Sequence, residues 1–325
     1  MHAGKRTGLG WTYSTGAAGR IITDHLAPAI TGRNVMDTPG CWSAMHRAGR
    51  NLGTRGLVMQ AISAVDVALW DLKARVLDVP LASLFGRSRD RVPVYGSSGF
   101  TTLTDTELAA QVDGWAAAGC TAMKIKIGQS WGTEVQRDLA RLQALRELAG
   151  PGPELMVDPN GGYSTGQARR VGATLDRCGV VWFEEPVSSD DLTGLADVRT
   201  AVRCDVAAGE YAADPFDVAR LCPVVDCLQL DVTRCGVTPD GCAALPSPRP
   251  TTCRSPRIAP RHCTLPWRPP CRTCGTLNGS SITPPSSHCS STGHPWSVPG
   301  TSRSRSGLPG HGMRIRPAAA AFQEG

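Results

Sequence analysis

Seven residues of this 325-residue chain have types and spacing suited to joint chemistry: Lys124, Lys126, Asp158, Asn160, Glu184, Glu210 and Asp231. All lie in or at the ends of short apolar runs, AMKIKIG, LMVDPN, VVWFEEP, DVAAGE and VVDCLQLD. Residues two apart on a strand point to one side, so Lys124 and Lys126 face together. Asp158, Glu184 and Glu210 are each separated by about one strand-plus-helix unit. If those strands neighbour one another in a parallel sheet, three carboxylates meet at one end of it. Like charges held that close repel unless a cation neutralises them, and all-oxygen ligation suits a hard divalent ion such as Mg²⁺. A single strand-end charge is ordinarily a solvated surface group. A KxK pair followed by three carboxylates in register calls for more than that.

The elements that must position these residues follow from the same runs. Segments of helical length separate them, and a β-α-β-α alternation argues for a parallel sheet with crossover helices. In a closed (β/α) barrel, functional groups gather at the C-terminal ends of the strands. Strand one is predicted at 91–95, strand two at 122–127 and strand three at 155–158. Helices are predicted at 104–118, 131–148, 165–178, 190–202 and 215–221. Six strands can be placed, the sixth ending near Asp231, where a closed barrel needs eight. Ahead of them, residues 7–14 read as a strand, and 17–31, 37–47 and 57–77 as helices. In the last, Val58, Ile62, Val65, Ala68, Leu69, Leu72 and Val76 recur at helical spacing, the mark of a core-facing stripe.

The KIK pair, the Asp of MVDPN, the first Glu of FEEP, the Glu of AAGE and the run DVTRCG carry a family likeness. From about residue 8 to 238 the chain resembles the enolase superfamily, in its mandelate racemase / muconate lactonizing enzyme branch. The resemblance implies an α/β fold, a modified TIM-like (β/α) barrel at 91–238 under an α+β capping domain at 1–90. It implies Mg²⁺ held by Asp158, Glu184 and Glu210. Lys126 matches the base that removes a proton next to a carboxylate, and Lys124 would sit on that carboxylate. Asn160 would bond a substrate hydroxyl, while Glu185 and Arg234 would have supporting roles. Muconate cycloisomerase and dipeptide epimerase relatives carry Lys at the end of strand six. Mandelate racemase-like members carry Asp, paired with a strand-seven His as the second acid/base, and Asp231 fits that group. The implied reaction passes through an enediolate to dehydration of an acid sugar (a carbon–oxygen lyase reaction), or to racemisation. The implied partner is a small-molecule carboxylate, an acid sugar or 2-hydroxy acid, and an intact protein would be a homo-oligomer. Family members begin with two further strands and a specificity loop, which this chain starts too late to contain.

After residue 238 the composition changes. Residues 239–306 hold one acidic residue, Asp240, and no Lys, and 15 of the 25 Pro lie at or beyond Pro239. Pro at that density opposes both helix and interior strand. Three explanations compete: a basic tail for nucleic acid, a metal module on Cys263, Cys271, Cys274 and His288, or translation out of frame. A single CxxC is weak support for the second. For the third, the last base of each codon is joined to the first two of the next. Residues 239–261 then permit GWLRCAALAEAHHLPVSAHCAP, and 272–283 permit NLRHLEWF, patterns like the missing seventh and eighth strands. The strand-seven His would be encoded across Arg257-Ile258 and the strand-eight Glu across Leu277-Asn278. The original frame returns near Leu308, so 307–325 would run back toward the cap. The out-of-frame explanation is preferred, which leaves the net charge of +6 silent about partners and removes nucleic acid from them. As written, the chain keeps one base and the metal ligands but lacks half the acid/base machinery. The alternative to an enzyme is a non-catalytic remnant of a disrupted gene, with the last two barrel strands lost and sheet edges exposed.

Composition sets the remaining bounds. No run of 18 apolar residues exists, so no membrane span is expected. The N-terminus lacks the apolar centre of a secretory signal. Thirteen Cys without such a signal point to reduced thiols and a cytoplasmic location.

Overall fold

The computed structural model describes residues 1–87, 90–91 and 93–236, the backbone of Leu277–Asn278, and Ile315. The first 84 residues build a small helical unit around one long helix. A two-residue hairpin, β1 (His2–Ala3) with β2 (Arg6–Thr7), leads in. Helix α1 (Gly16–Ile21) continues through a π-turn (Ile22–Leu26) into α2 (Ala27–Ile30). Then come α3 (Thr38–Ala48), α4 (Leu57–Leu77) and the short α5 (Leu81–Leu84). The periodic stripe of α4 is the heart of this unit: Val58, Ile62, Val65, Leu69, Leu72 and Val76 are all buried in one cluster. Ile315 is buried in the same cluster, and its backbone N–H donates to the carbonyl of Arg33 at 3.0 Å.

The strand expected at 7–14 is corrected here. It ends at Thr7, and its partner is His2–Ala3. Residues 8–10 instead lie against the α4 backbone. A Cβ on Gly8 would stand 2.3 Å from the carbonyl oxygen of Ala68, and one on Gly10 2.1 Å from that of Ala64. Glycine is therefore required for the approach, and the close fit replaces a strand pairing.

Six parallel strands follow in sequence order: β3 (Val94–Ser98), β4 (Ala122–Lys126), β5 (Glu154–Asp158), β6 (Val180–Glu184), β7 (Asp205–Ala208) and β8 (Cys227–Leu228). Between them run α6 (Asp105–Ala117), α7 (Gln129–Gly132) with α8 (Val135–Ala149), α9 (Thr165–Arg177), α10 (Leu192–Ala201) and α11 (Pro215–Leu221). The last described turn is α12 (Val232–Cys235). This is the α/β arrangement of a (β/α) barrel, consistent with strands that read as nearly continuous apolar runs because both faces are covered. Strand one begins three residues later than expected, since the pairing with β4 runs from Gly96 to Ser98. A two-residue strand β9 (Leu277–Asn278) pairs parallel to the free edge of β3, so that edge is covered over two residues. The remainder of 237–314 and 316–325, with the Cys and His of the metal-module alternative, lies outside the described residues.

The two-residue period of the strands splits their side chains into an outer and an inner set. Met123, Ile125, Leu155, Val157, Phe183, Val206 and Leu228 face the helices in the main core. Tyr95, Ala122, Met156, Trp182, Ala207 and Cys227 form a separate interior layer, one residue from each strand. The residues two positions further along β4, β5 and β6 are Lys124, Asp158 and Glu184. The fold thus sets a charged layer directly above an apolar one. Helix starts are secured locally, with Thr104–Glu107 and Ser164–Gln167 capping boxes on α6 and α9. Arg141 of α8 is buried and donates to the carbonyls of Gly99, Phe100 and Leu103, which ties the loop after β3 to the barrel wall.

Candidate metal centre

Strand register brings the charged residues together. Lys126 lies opposite Asp158 across β4 and β5, and β5 and β6 align Val157 with Phe183, so Asp158 and Glu184 follow side by side. Glu210 is out of step. By alternation from Ala207 inward and Ala208 outward, residue 210 would face the helices. Gly209 has φ +131, a conformation that resets the direction of the chain. A Cβ there would stand 2.3 Å from the carbonyl oxygen of Gln229. Gly209→Ala is expected to cost about 1–3 kcal/mol in backbone strain and to lower divalent-cation affinity together with the thermal midpoint. Thermal unfolding with and without Mg²⁺ checks both.

Oxygens of Asp158, Glu184 and Glu210 all lie within 4.8 Å of one another. Asp158 and Glu184 have 0% exposure. Two ammonium groups answer this charge. Lys124 donates to both Glu184 oxygens at 2.6 and 2.5 Å and stands 4.0 Å from Asp158, while Lys126 pairs with Asp158. The Lys124 Nζ also sits 5.4 Å above the centre of the Tyr95 ring. Asn160, in the left-handed conformation at φ 47, donates its backbone N–H to Asp158 at 2.7 Å. Its side-chain amide bridges Asp158 and Glu210, 3.3 Å from each.

Burial dominates the electrostatics. It raises the Asp158 carboxyl well above the ordinary range, and the Glu184 charge beside it adds to the rise. Burial also acts upward on Glu184, but the Lys124 ammonium on both its oxygens wins and draws it below the usual value. Burial alone would lower Lys124; Glu184 first, then Tyr95 and Asp158, outweigh it and raise it. Glu185 is buried and is pushed up to about 9 by desolvation first, then by Glu210, Asp158 and Glu184. Its backbone carries a different task. The N–H reaches Ala207 at 2.7 Å and the carbonyl accepts from Gly161 at 2.8 Å, linking three strand ends at a φ of +34.

Two buried carboxylates and the half-buried Glu210, with mutually close oxygens, fit a hard divalent cation, whose charge would satisfy what two ammonium groups leave uncompensated. Six of the seven sequence-predicted residues are brought together. Asp231 shares no hydrogen bond or ion pair with them among the described residues. Its Oδ1 caps α12, accepting from the Thr233 N–H and hydroxyl at 2.8 and 2.6 Å, and its Oδ2 pairs with Arg234 at 3.0 Å. Arg234 in turn stacks between Tyr13 and Tyr211, 5.3 Å from each ring centre. Sequence reading missed Trp182, whose indole N–H donates to Glu184 at 3.0 Å, and Tyr95 beneath Lys124. The signal was present: the period that pairs Lys124 with Lys126 also puts Trp182 one layer below Glu184.

Two family models match the chain: the mandelate racemase / muconate lactonizing enzyme N-terminal domain over residues 5–86, and the enolase C-terminal domain-like model over residues 107–239. The chain belongs to the mandelate racemase / muconate lactonizing enzyme branch of the enolase superfamily. Within that branch it is 34% identical over 207 residues to L-talarate/galactarate dehydratase of Salmonella typhimurium, covering 62% of this chain and 51% of that one. It is 32% identical to D-galactarolactone cycloisomerase of Agrobacterium fabrum, over 70% of this chain and 61% of that one. The chain thus spans about half to three fifths of these curated relatives. Among solved structures, a mandelate racemase/muconate lactonizing enzyme-like protein from Rubrobacter xylanophilus superposes with a TM-score of 0.69 at 44% identity, covering 72% of this chain and 65% of that one. A racemase from Streptomyces coelicolor with bound magnesium gives 0.66 at 31% identity, over 70% and 65%. Among the described residues of this family member no helix is long and apolar enough to cross a membrane.

Proposed function

We propose that this chain carries the site of a Mg²⁺-dependent enzyme that removes a proton α to the carboxylate of an acid sugar, with dehydration as the outcome. The observation that carries this is the meeting of three carboxylates and two ammonium groups at one end of the parallel sheet. The relatives support the substrate class: they include talarate/galactarate and arabinonate dehydratases, and a Polaromonas L-talarate dehydratase was solved with Mg and L-glucarate. Asp158, Glu184 and Glu210 would hold the ion. When bound, Mg²⁺ supplies positive charge where negative charge develops on the substrate carboxylate. Lys126 Nζ, as the neutral amine, takes the α-proton, and the bond pair moves onto the carboxylate as an enediolate. That pair then expels the β-hydroxide, which leaves as water with the proton returned by the Lys126 ammonium or by solvent, and the resulting enol tautomerises to a keto acid. Lys124, one layer deeper, binds a carboxylate oxygen, and Asn160 donates to a hydroxyl. A cytoplasmic location and a homo-oligomeric assembly belong to the same proposal.

A second reading, a metal-binding remnant without turnover, is favoured by Asp231. Both its oxygens are engaged by Thr233 and Arg234, and the His it would pair with is absent from the sequence as written. The change of composition at residue 239 supports an out-of-frame segment as the cause. Proton NMR in D₂O with a panel of aldarates and aldonates separates the two. The enzyme gives α-proton loss that requires Mg²⁺ and stops with EDTA. Mg²⁺ binding without exchange on any acid sugar assigns the chain to the remnant.

A further inference from the structure

We propose that Trp182 is a positioning residue for the cation site, fixing the Glu184 carboxylate from the layer beneath. The inference rests on Asp158, Glu184 and Glu210 being the ion's ligands. Trp182 lies two residues before Glu184 on β6, so both side chains enter the barrel from one strand, one above the other. Its indole is 6% exposed and packed among Tyr95, Ala122, Met156, Ala207 and Cys227. A buried indole N–H needs a partner, and its bond is to Glu184 Oε2 at 3.0 Å.

Two donors among the described residues hold Glu184, and they differ in kind. Lys124 ends a flexible four-carbon stem, and its ammonium occupies oxygens that a cation would also use. The indole is rigid, is buried in the interior layer, and reaches the carboxylate from two residues earlier on the same strand. A cation arriving from the carboxylate side displaces an ammonium far more readily than a packed ring. Trp182 therefore holds the carboxylate whether or not the ion is present, and so removes a rotamer cost from binding. Partners of this kind, one bond behind a metal ligand, change affinity by about 10–100-fold when lost.

The experiment measures Mg²⁺ affinity of the full chain by calorimetry, alongside thermal unfolding in EDTA. Trp182→Phe keeps an aromatic ring and removes the N–H; Met156→Ala loosens the same layer and leaves the bond intact. The expected result is about a 10-fold or larger weakening for Trp182→Phe, with Met156→Ala lowering only the metal-free midpoint. Equal affinity for parent and Trp182→Phe overturns the proposal, as does an equal loss in both variants, which would mark a packing role only. A parent chain that binds no Mg²⁺ overturns the ligand assignment, and this inference falls with it. Should Trp182→Phe not fold, the parent decides. In ¹H–¹⁵N spectra an indole N–H resonance must shift as Mg²⁺ saturates, and an unmoved indole set overturns the proposal.

Discussion

Asp158→Asn is expected to weaken Mg²⁺ binding by the full chain at least about 100-fold, since losing a ligand costs more than losing a ligand's neighbour. Asn keeps the size of the side chain but carries no charge. Fully ionised, three carboxylates and two ammonium groups sum to one negative charge, and the substitution reduces that to zero. The stability response should be much smaller. Asp158 is a costly residue to bury, as the upward push of burial and of Glu184 on its carboxyl shows. Removing that charge offsets the loss of the Lys126 pair. The metal-free midpoint is expected to move by no more than about 2–4 °C, the shift that one kcal/mol gives in a domain of this size. Calorimetric titration and a melting curve in EDTA read the two effects separately. Unchanged affinity would remove Asp158 from the ligand set.

Much of the site was legible because strand geometry is strict. Apolar runs buried on both faces announce barrel strands, and a period of two turns a charged residue inside such a run into an inward one. Lys124, Lys126, Asp158 and Glu184 follow from that alone. Glu210 sits on the wrong parity and reaches the cluster only through the φ of Gly209, which no periodicity reveals. The α4 helix was legible from its stripe, with the bounds 57–77 reproduced. Three features depended on tertiary approach instead. The N-terminal strand stops at Thr7 because Gly8 and Gly10 let the chain press on α4. The π-turn at Ile22–Leu26 leaves the apolar pattern of one helix intact and so was invisible. Asp231, at a strand end like the others, is claimed by the start of α12, and a short polar side chain before a helix serves a cap as readily as a catalytic site.

Lys126 gives the sharpest separation between chemistry and binding, because its loss should move them in opposite directions. Lys126→Met retains the aliphatic length and removes the ammonium. If Nζ takes the α-proton, isotope exchange falls by roughly 10²–10⁴, the range for deleting a positioned general base. The same change strips a positive charge that now pairs with Asp158 and repels an incoming cation. Mg²⁺ affinity should therefore hold or tighten, whereas Asp158→Asn is expected to weaken it. A purely structural Lys126 predicts the contrary: with its ion pair gone, the buried carboxylate loses its anchor, and affinity and exchange decline together. Measuring both quantities on one preparation distinguishes a base from a brace, and does so even if the dehydration half of the reaction is absent, since abstraction needs only the Lys126 side of the site.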